Sequence, residues 1–128
     1  MNRRGLRALL IVHGFITLAA AIVLAVAPGL IPGFVGVHLD RSANFIAYLL
    51  AGAEFGIAIL SFGGARLNEE RALQLIAWTL IAFHGSSAAL EIVAYRQGVG
   101  VAILGNVIAR AVIVALFVYF SRKRVRAH

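Results

Sequence analysis

The sequence predicts an all-α integral membrane protein, a four-helix bundle with antiparallel up-down spans. Three observations carry this. The 128 residues are 62% hydrophobic, with a mean hydropathy of +0.94. Only 13% are charged, where a soluble domain carries about 25%. The apolar residues also fall into four continuous runs. Each is near the roughly 20 residues that a helix needs to cross the hydrocarbon core. β-Barrel strands would be about 10 residues long and strictly alternating, and these runs do not alternate.

The first span covers 6–27. It opens after Arg3, Arg4 and Arg7 and closes at Pro28-Gly29, where proline withdraws an N–H donor and restricts the residue before it. Ala25-Val26-Ala27 has the small-x-small form of a signal-peptidase site. The run is nonetheless longer than the usual h-region of about 7–15 residues, so the expectation is an uncleaved span. The linker from Pro28 to Asp40 is rich in glycine but holds Leu30, Ile31, Phe34 and Val35. It is too apolar for full solvation and is placed at headgroup level or folded back on the bundle. Ser42 is the expected N-cap of the second span, 45–63. A short polar loop from Arg66 to Arg71 leads to the third span, 72–95, so these two helices are antiparallel neighbours. Arg96-Gln97-Gly98 turns the chain into the fourth span, 101–120, with Gly98 suited to the left-handed position after a helix end. A basic tail, 121–128, follows.

Orientation follows from lysine and arginine. With the N-terminus inside, Arg3, Arg4, Arg7, Arg66, Arg71, Arg122, Lys123, Arg124 and Arg126 all lie on the inner side, and only Arg41 and Arg96 lie outside. That asymmetry predicts both termini in the cytoplasm of a bacterial inner membrane, with the basic ends on anionic headgroups. Phe45 and Tyr95 at one edge and Tyr119 and Phe120 at the other suit an aromatic belt. The net charge of +7 is thus membrane-flanking, and no nucleic-acid partner is expected. The chain has no cysteine, which excludes disulfides and thiolate chemistry. No Ser-His-Asp order, HExxH or Gly-x-Ser-x-Gly is present, so an enzyme is not expected.

Polar residues inside the spans carry the functional reading. An ionisable group at the bilayer centre costs about 2.5–3.5 kcal/mol on insertion scales, so such residues turn inward and pair. Glu54, His84 and Arg110 fall at the middle of the second, third and fourth spans. The sequence therefore predicts a Glu54–Arg110 ion pair with His84 in reach. At about 1.5 Å rise per residue, Glu91 stands about 10 Å and Asn106 about 6 Å outward of this level. Glu91 is expected to snorkel outward and pair with Arg96; the alternative is an outer polar layer of Glu91, Asn106 and Tyr48. His13 is placed on the inner half. Ala47, Ala51, Glu54, Ala58 and Ser61 share one face of the second span, a stripe of small residues on which another helix can pack; Gly52 and Gly56 form a second small pair. Leu10-Ile11-Val12-His13-Gly14 echoes Leu80-Ile81-Ala82-Phe83-His84-Gly85.

Leu6-Arg7 opening the first span, Ala27-Pro28 closing it, the glycine-rich loop ending in Asp40 and the run Ala51-Gly52-Ala53-Glu54-Phe55-Gly56 give the chain a resemblance to small bacterial four-helix inner-membrane proteins, the DoxX-like group among them. The resemblance implies architecture and assigns no activity.

Three functions stay open on the sequence alone. One is a bundle whose polar cluster binds a hydrophobic or anionic small molecule or docks to a larger membrane complex or a second copy of itself. Another is a proton-coupled transporter or channel subunit, for which an arginine-neutralised Glu54 is a poor exchange site. The last is a haem b protein ligated by His13 and His84, with Gly14 and Gly85 leaving room for the porphyrin. The first is the expectation, with no cofactor.

Overall fold

A computed structural model describes residues 1–122; Lys123, Arg124 and Arg126 of the basic tail lie outside them. The described chain forms five α-helices: α1 (Arg3–Val26), α2 (Leu30–Phe34), α3 (Asn44–Arg66), α4 (Glu70–Arg96) and α5 (Ile103–Ser121). Four of these, all but α2, are long and apolar enough to cross a membrane. α1, α3 and α4 extend a few residues past the apolar runs into charged sequence. A helix end needs partners for its free N–H and C=O groups, and these lie in the polar flanks. α1, for example, starts where Asn2 Oδ1 accepts the Gly5 N–H at 3.0 Å.

α1 packs against α3 and α5, and α4 packs against the same two helices. The long helices therefore stand in the ring order α1, α3, α4, α5, with α1 and α4 across the bundle from each other. The small stripe read from the sequence is the buried face of α3, since Ala47, Ala51, Glu54, Ala58 and Ser61 are all buried. It meets the α1 face of Leu6, Leu10, His13, Gly14, Thr17, Ala21 and Leu24, whose spacing of three and four follows the helical period. Gly14 is required here, because a Cβ at this position would lie 2.8 Å from the Phe62 ring. Gly52 and Gly56 face open space.

One end of the bundle is closed by Leu6, Leu10, Leu73, Ile76, Ala77, Leu80 and Phe117. At this end Arg7 donates to Leu67 O at 2.7 Å and to Asn68 Oδ1 at 2.6 Å. Arg3 pairs with Glu70 at 3.3 Å, and Asn2 N donates to Phe120 O at 3.0 Å. The opposite end holds a smaller cluster, Leu24, Ala47 and Ala51 with Leu39 against it. Between the two lie the buried polar residues His13, Thr17, Glu54, Ser61 and His84. Large apolar side chains such as Val12, Phe15, Ile46, Leu75, Trp78 and Ile108 point outward. This apolar outer surface accompanies four helices long and apolar enough to cross a membrane.

The apolar linker folds back on the bundle as α2. Its C-terminal neighbour Val35 comes so near the α4–α5 turn that a Cβ on Gly100 would lie 3.1 Å from the Val35 carbonyl oxygen. Gly98 has φ +104°, as its place after α4 predicts. Ser42 is not a cap. Asp40 Oδ1 takes both the Ser42 hydroxyl and the Ala43 N–H at 2.7 Å, and α3 begins two residues after Ser42. The Ala43 amide, and then the Ser42 hydroxyl, hold the Asp40 carboxyl below the usual carboxylate range.

Candidate functional site

A chain of hydrogen bonds crosses the polar layer. Ser61 Oγ on α3 lies 2.9 Å from His13 Nδ1 on α1. His13 Nε2 lies 2.7 Å from His84 Nε2 on α4. Arg110 Nη1 on α5 lies 3.2 Å from His84 Nδ1, and Arg110 Nε pairs with Glu91 Oε1 at 2.8 Å. Asn106 Nδ2 donates to the same oxygen at 2.6 Å. The imidazoles are only 2% and 5% exposed. Phe117 packs edge-on against His13 and Phe83 against His84, while Thr17 Oγ1 is satisfied by the His13 carbonyl at 3.0 Å.

Donor and acceptor chemistry orients this chain. A guanidinium only donates, so His84 Nδ1 must be bare. A neutral His84 then carries its proton on Nε2 and donates to His13, whose Nε2 must also be bare. His13 in turn carries its proton on Nδ1 and donates to Ser61 Oγ. A proton on both nitrogens of either ring would set donor against donor. The chain therefore runs from Arg110 to Ser61, with both histidines neutral and in opposite tautomers.

The site differs from the sequence reading at four points. The Glu54–Arg110 ion pair does not form. Arg110 pairs with Glu91, because α4 and α5 lie side by side while the backbones of α3 and α5 stand apart. Glu91 turns inward and does not pair with Arg96; five residues apart, the two side chains point about 140° from each other. His13 is not a separate inner group but touches His84 directly. Its span starts at Arg3, so it sits nearer the middle of α1 than the apolar run suggested. Tyr48 is absent from the cluster. It is 51% exposed and lines an outer groove between α1 and α3 with Leu18 and Phe55, since six residues from Glu54 is about 240° around the helix. Asn106 and Glu91 do share a layer, as the depths predict.

Glu54 occupies a distinct position. It is 7% exposed, and among the described residues no basic group lies within ion-pair distance of it. It lines an inner cavity of about 250 Å³ with Thr17, His84, Asn106 and Arg110. This cavity shares Leu24, Ile31, Leu50, Asn106, Ala109 and Arg110 with a larger cleft of about 610 Å³ beneath α2. The cleft has apolar walls from Pro32, Phe34, Val37 and Ile46, with Glu91, Asn106 and Arg110 as its polar edge. No pattern in the chain marks this space, which depends on α3 and α5 standing apart.

The histidine pair does not fit a haem as it stands. Two imidazole nitrogens on opposite sides of one metal, at about 2.0–2.1 Å each, would stand about 4 Å apart; these are 2.7 Å apart. The room expected beside Gly14 is filled by Phe62. No family model, curated protein or solved structure matches the chain.

The ion pair makes a testable prediction. Arg110→Leu leaves Glu91 without its cation and should cost about 3 kcal/mol, the loss typical of a broken buried pair. Unfolding in mild detergent should show Glu91→Gln restoring stability to the Arg110→Leu protein, and Glu54→Gln restoring much less. Equal rescue by both would assign the guanidinium to Glu54.

Proposed function

We propose that this is a four-span inner-membrane protein, up-down and with both termini cytoplasmic, that binds a small apolar molecule in the cleft beneath α2. The observation that carries the reading is the shape and chemistry of the cleft. An apolar chamber narrows into a cavity whose end is polar, with Glu54, His84, Asn106 and Arg110 around it. Ligand sites are commonly concave and mostly apolar, with a few polar groups that fix orientation. The apolar body of the molecule lies under Ile31, Phe34 and Val37, and its polar head reaches the inner cavity.

The orientation is supported by charge. Arg3, Arg7, Arg66 and Arg71 gather at the end of the bundle where α1 starts and α3 meets α4, whereas Arg41 and Arg96 belong to the other end. Since the chain has no cysteine, single cysteines report sidedness cleanly. Gln97→Cys in intact cells should react with a membrane-impermeant maleimide, and Glu69→Cys only after permeabilisation. The reverse pattern would invert the proposed topology.

Ala109 lines both chambers, so Ala109→Trp should fill their junction. The protein purified in mild detergent should carry a small apolar molecule, visible by mass spectrometry of an organic extract. The Ala109→Trp protein should lose it while keeping its helical circular dichroism. Identical extracts from the two proteins would contradict binding in the cleft.

A further inference from the structure

The cleft and its inner cavity together hold two carboxyls, Glu91 and Glu54, and among the described residues that line them one guanidinium, Arg110. Arg110 is engaged by Glu91, which also takes the Asn106 amide. Oε2 of Glu91 is buried with no hydrogen-bond partner, so the guanidinium leaves carboxylate oxygen unsatisfied even within its own pair. Both nitrogens of His84 are occupied, one by Arg110 and one by His13. Glu54 is more than nine-tenths buried, has no hydrogen-bonded partner among the described residues, and lines the cavity. The groups that face this cavity with it are Thr17 from α1, His84 from α4, and Asn106 and Arg110 from α5. With His84 neutral, one guanidinium stands against two carboxylates, and an isolated charge is costly in such surroundings.

We infer that Glu54 is the anchor for a single positive charge, and that the molecule bound beneath α2 is a lipophilic monocation, an amine with an apolar body. The inference rests on the cleft reading and names its ligand class. With no ligand, the same position holds a proton. Binding of an ammonium then exchanges one cation for another: the carboxylic acid of Glu54 releases its proton, and the carboxylate so formed accepts N–H donors from the ammonium. Such charge-assisted bonds are about twice as strong as neutral ones. The freedom of Glu54 from Arg110 is what permits the exchange.

A matched pair of probes tests this: 4-phenylbutylamine, cationic at neutral pH, and 4-phenylbutanol, its neutral counterpart. Both are titrated at pH 7 into the protein in zwitterionic-lipid nanodiscs, with empty nanodiscs subtracted. The expected result is that the amine binds more tightly than the alcohol, and that its binding to the wild-type protein in weak buffer releases protons. Glu54→Gln should weaken the amine at least about tenfold and leave the alcohol unchanged, which also shows that the variant is folded. Equal affinity for both probes, without proton release and without an effect of Glu54→Gln, would overturn the cation assignment and leave the cleft standing. If neither probe binds the wild-type protein, the cleft reading falls, and the inference falls with it. Proton release is read on the wild-type protein, so this arm stands even where the variant does not fold.

Discussion

Arg110 governs the polar interior because it can only donate. Its guanidinium sits midway along an apolar helix and has to find acceptors within the bundle. It finds Glu91 and His84, both on α4. Those two contacts fix α5 in rotation. They matter more than usual because α5 buries little of itself, only Ile103, Phe117 and Ser121. They also set the direction of the whole hydrogen-bonded chain, since a donor at one end leaves one proton arrangement for the two imidazoles. The partner choice has a further consequence. With Arg110 bonded to Glu91, Glu54 has no ion-pair partner among the described residues.

The small-residue stripe and the polar layer divide the work. Ala47, Ala51, Ala58 and Ser61 let α3 lie tightly on α1, where Gly14 makes room for Phe62. Close approach on that side is matched by separation on the other. The backbones of α3 and α5 stand apart across the bundle, and the cleft opens between them. α2 covers one end of it and the Leu6–Phe117 cluster closes the other. The protein thus keeps one dry seam and one open one, and the titratable residues line the boundary between them.

Much of this architecture was legible in the chain. The four apolar runs mark the four long helices, and Pro28 and Gly98 mark real ends. The polar residues singled out inside the spans, Tyr48 excepted, come together around one hydrogen-bonded chain and the cavity beside it, whereas depth alone had spread them over three levels. Their pairing was not legible, because depth is one coordinate and pairing needs two more. Which face a side chain occupies separates Tyr48 from Glu54 on the same helix. Which helices are neighbours decides that Arg110 meets Glu91 and not Glu54. Helical phase was available: Glu91 lies seven residues from His84, on the same face of α4. Helix adjacency was not, because it emerges only when four faces are packed together. The echo between the His13 and His84 segments proved informative in an unexpected way. Its two histidines touch across the bundle, yet Gly14 is packed tight and Gly85 faces open space, so the segments are partners without being equivalent. The linker was expected at headgroup level or folded back, but a helix in it was not, since Pro32 and Gly33 lie inside α2.

Arg110 imposes one proton arrangement on the buried chain, and histidine tautomers report it directly. Nitrogen-15 spectra of the histidine-labelled protein in lipid, assigned with His13→Gln and His84→Gln, distinguish protonated from bare ring nitrogens. At neutral pH two neutral rings of opposite tautomer are expected, His84 protonated on Nε2 and His13 on Nδ1. Arg110→Leu should free His84 from this constraint. A doubly protonated ring at either position, or the same tautomer at both, would contradict it.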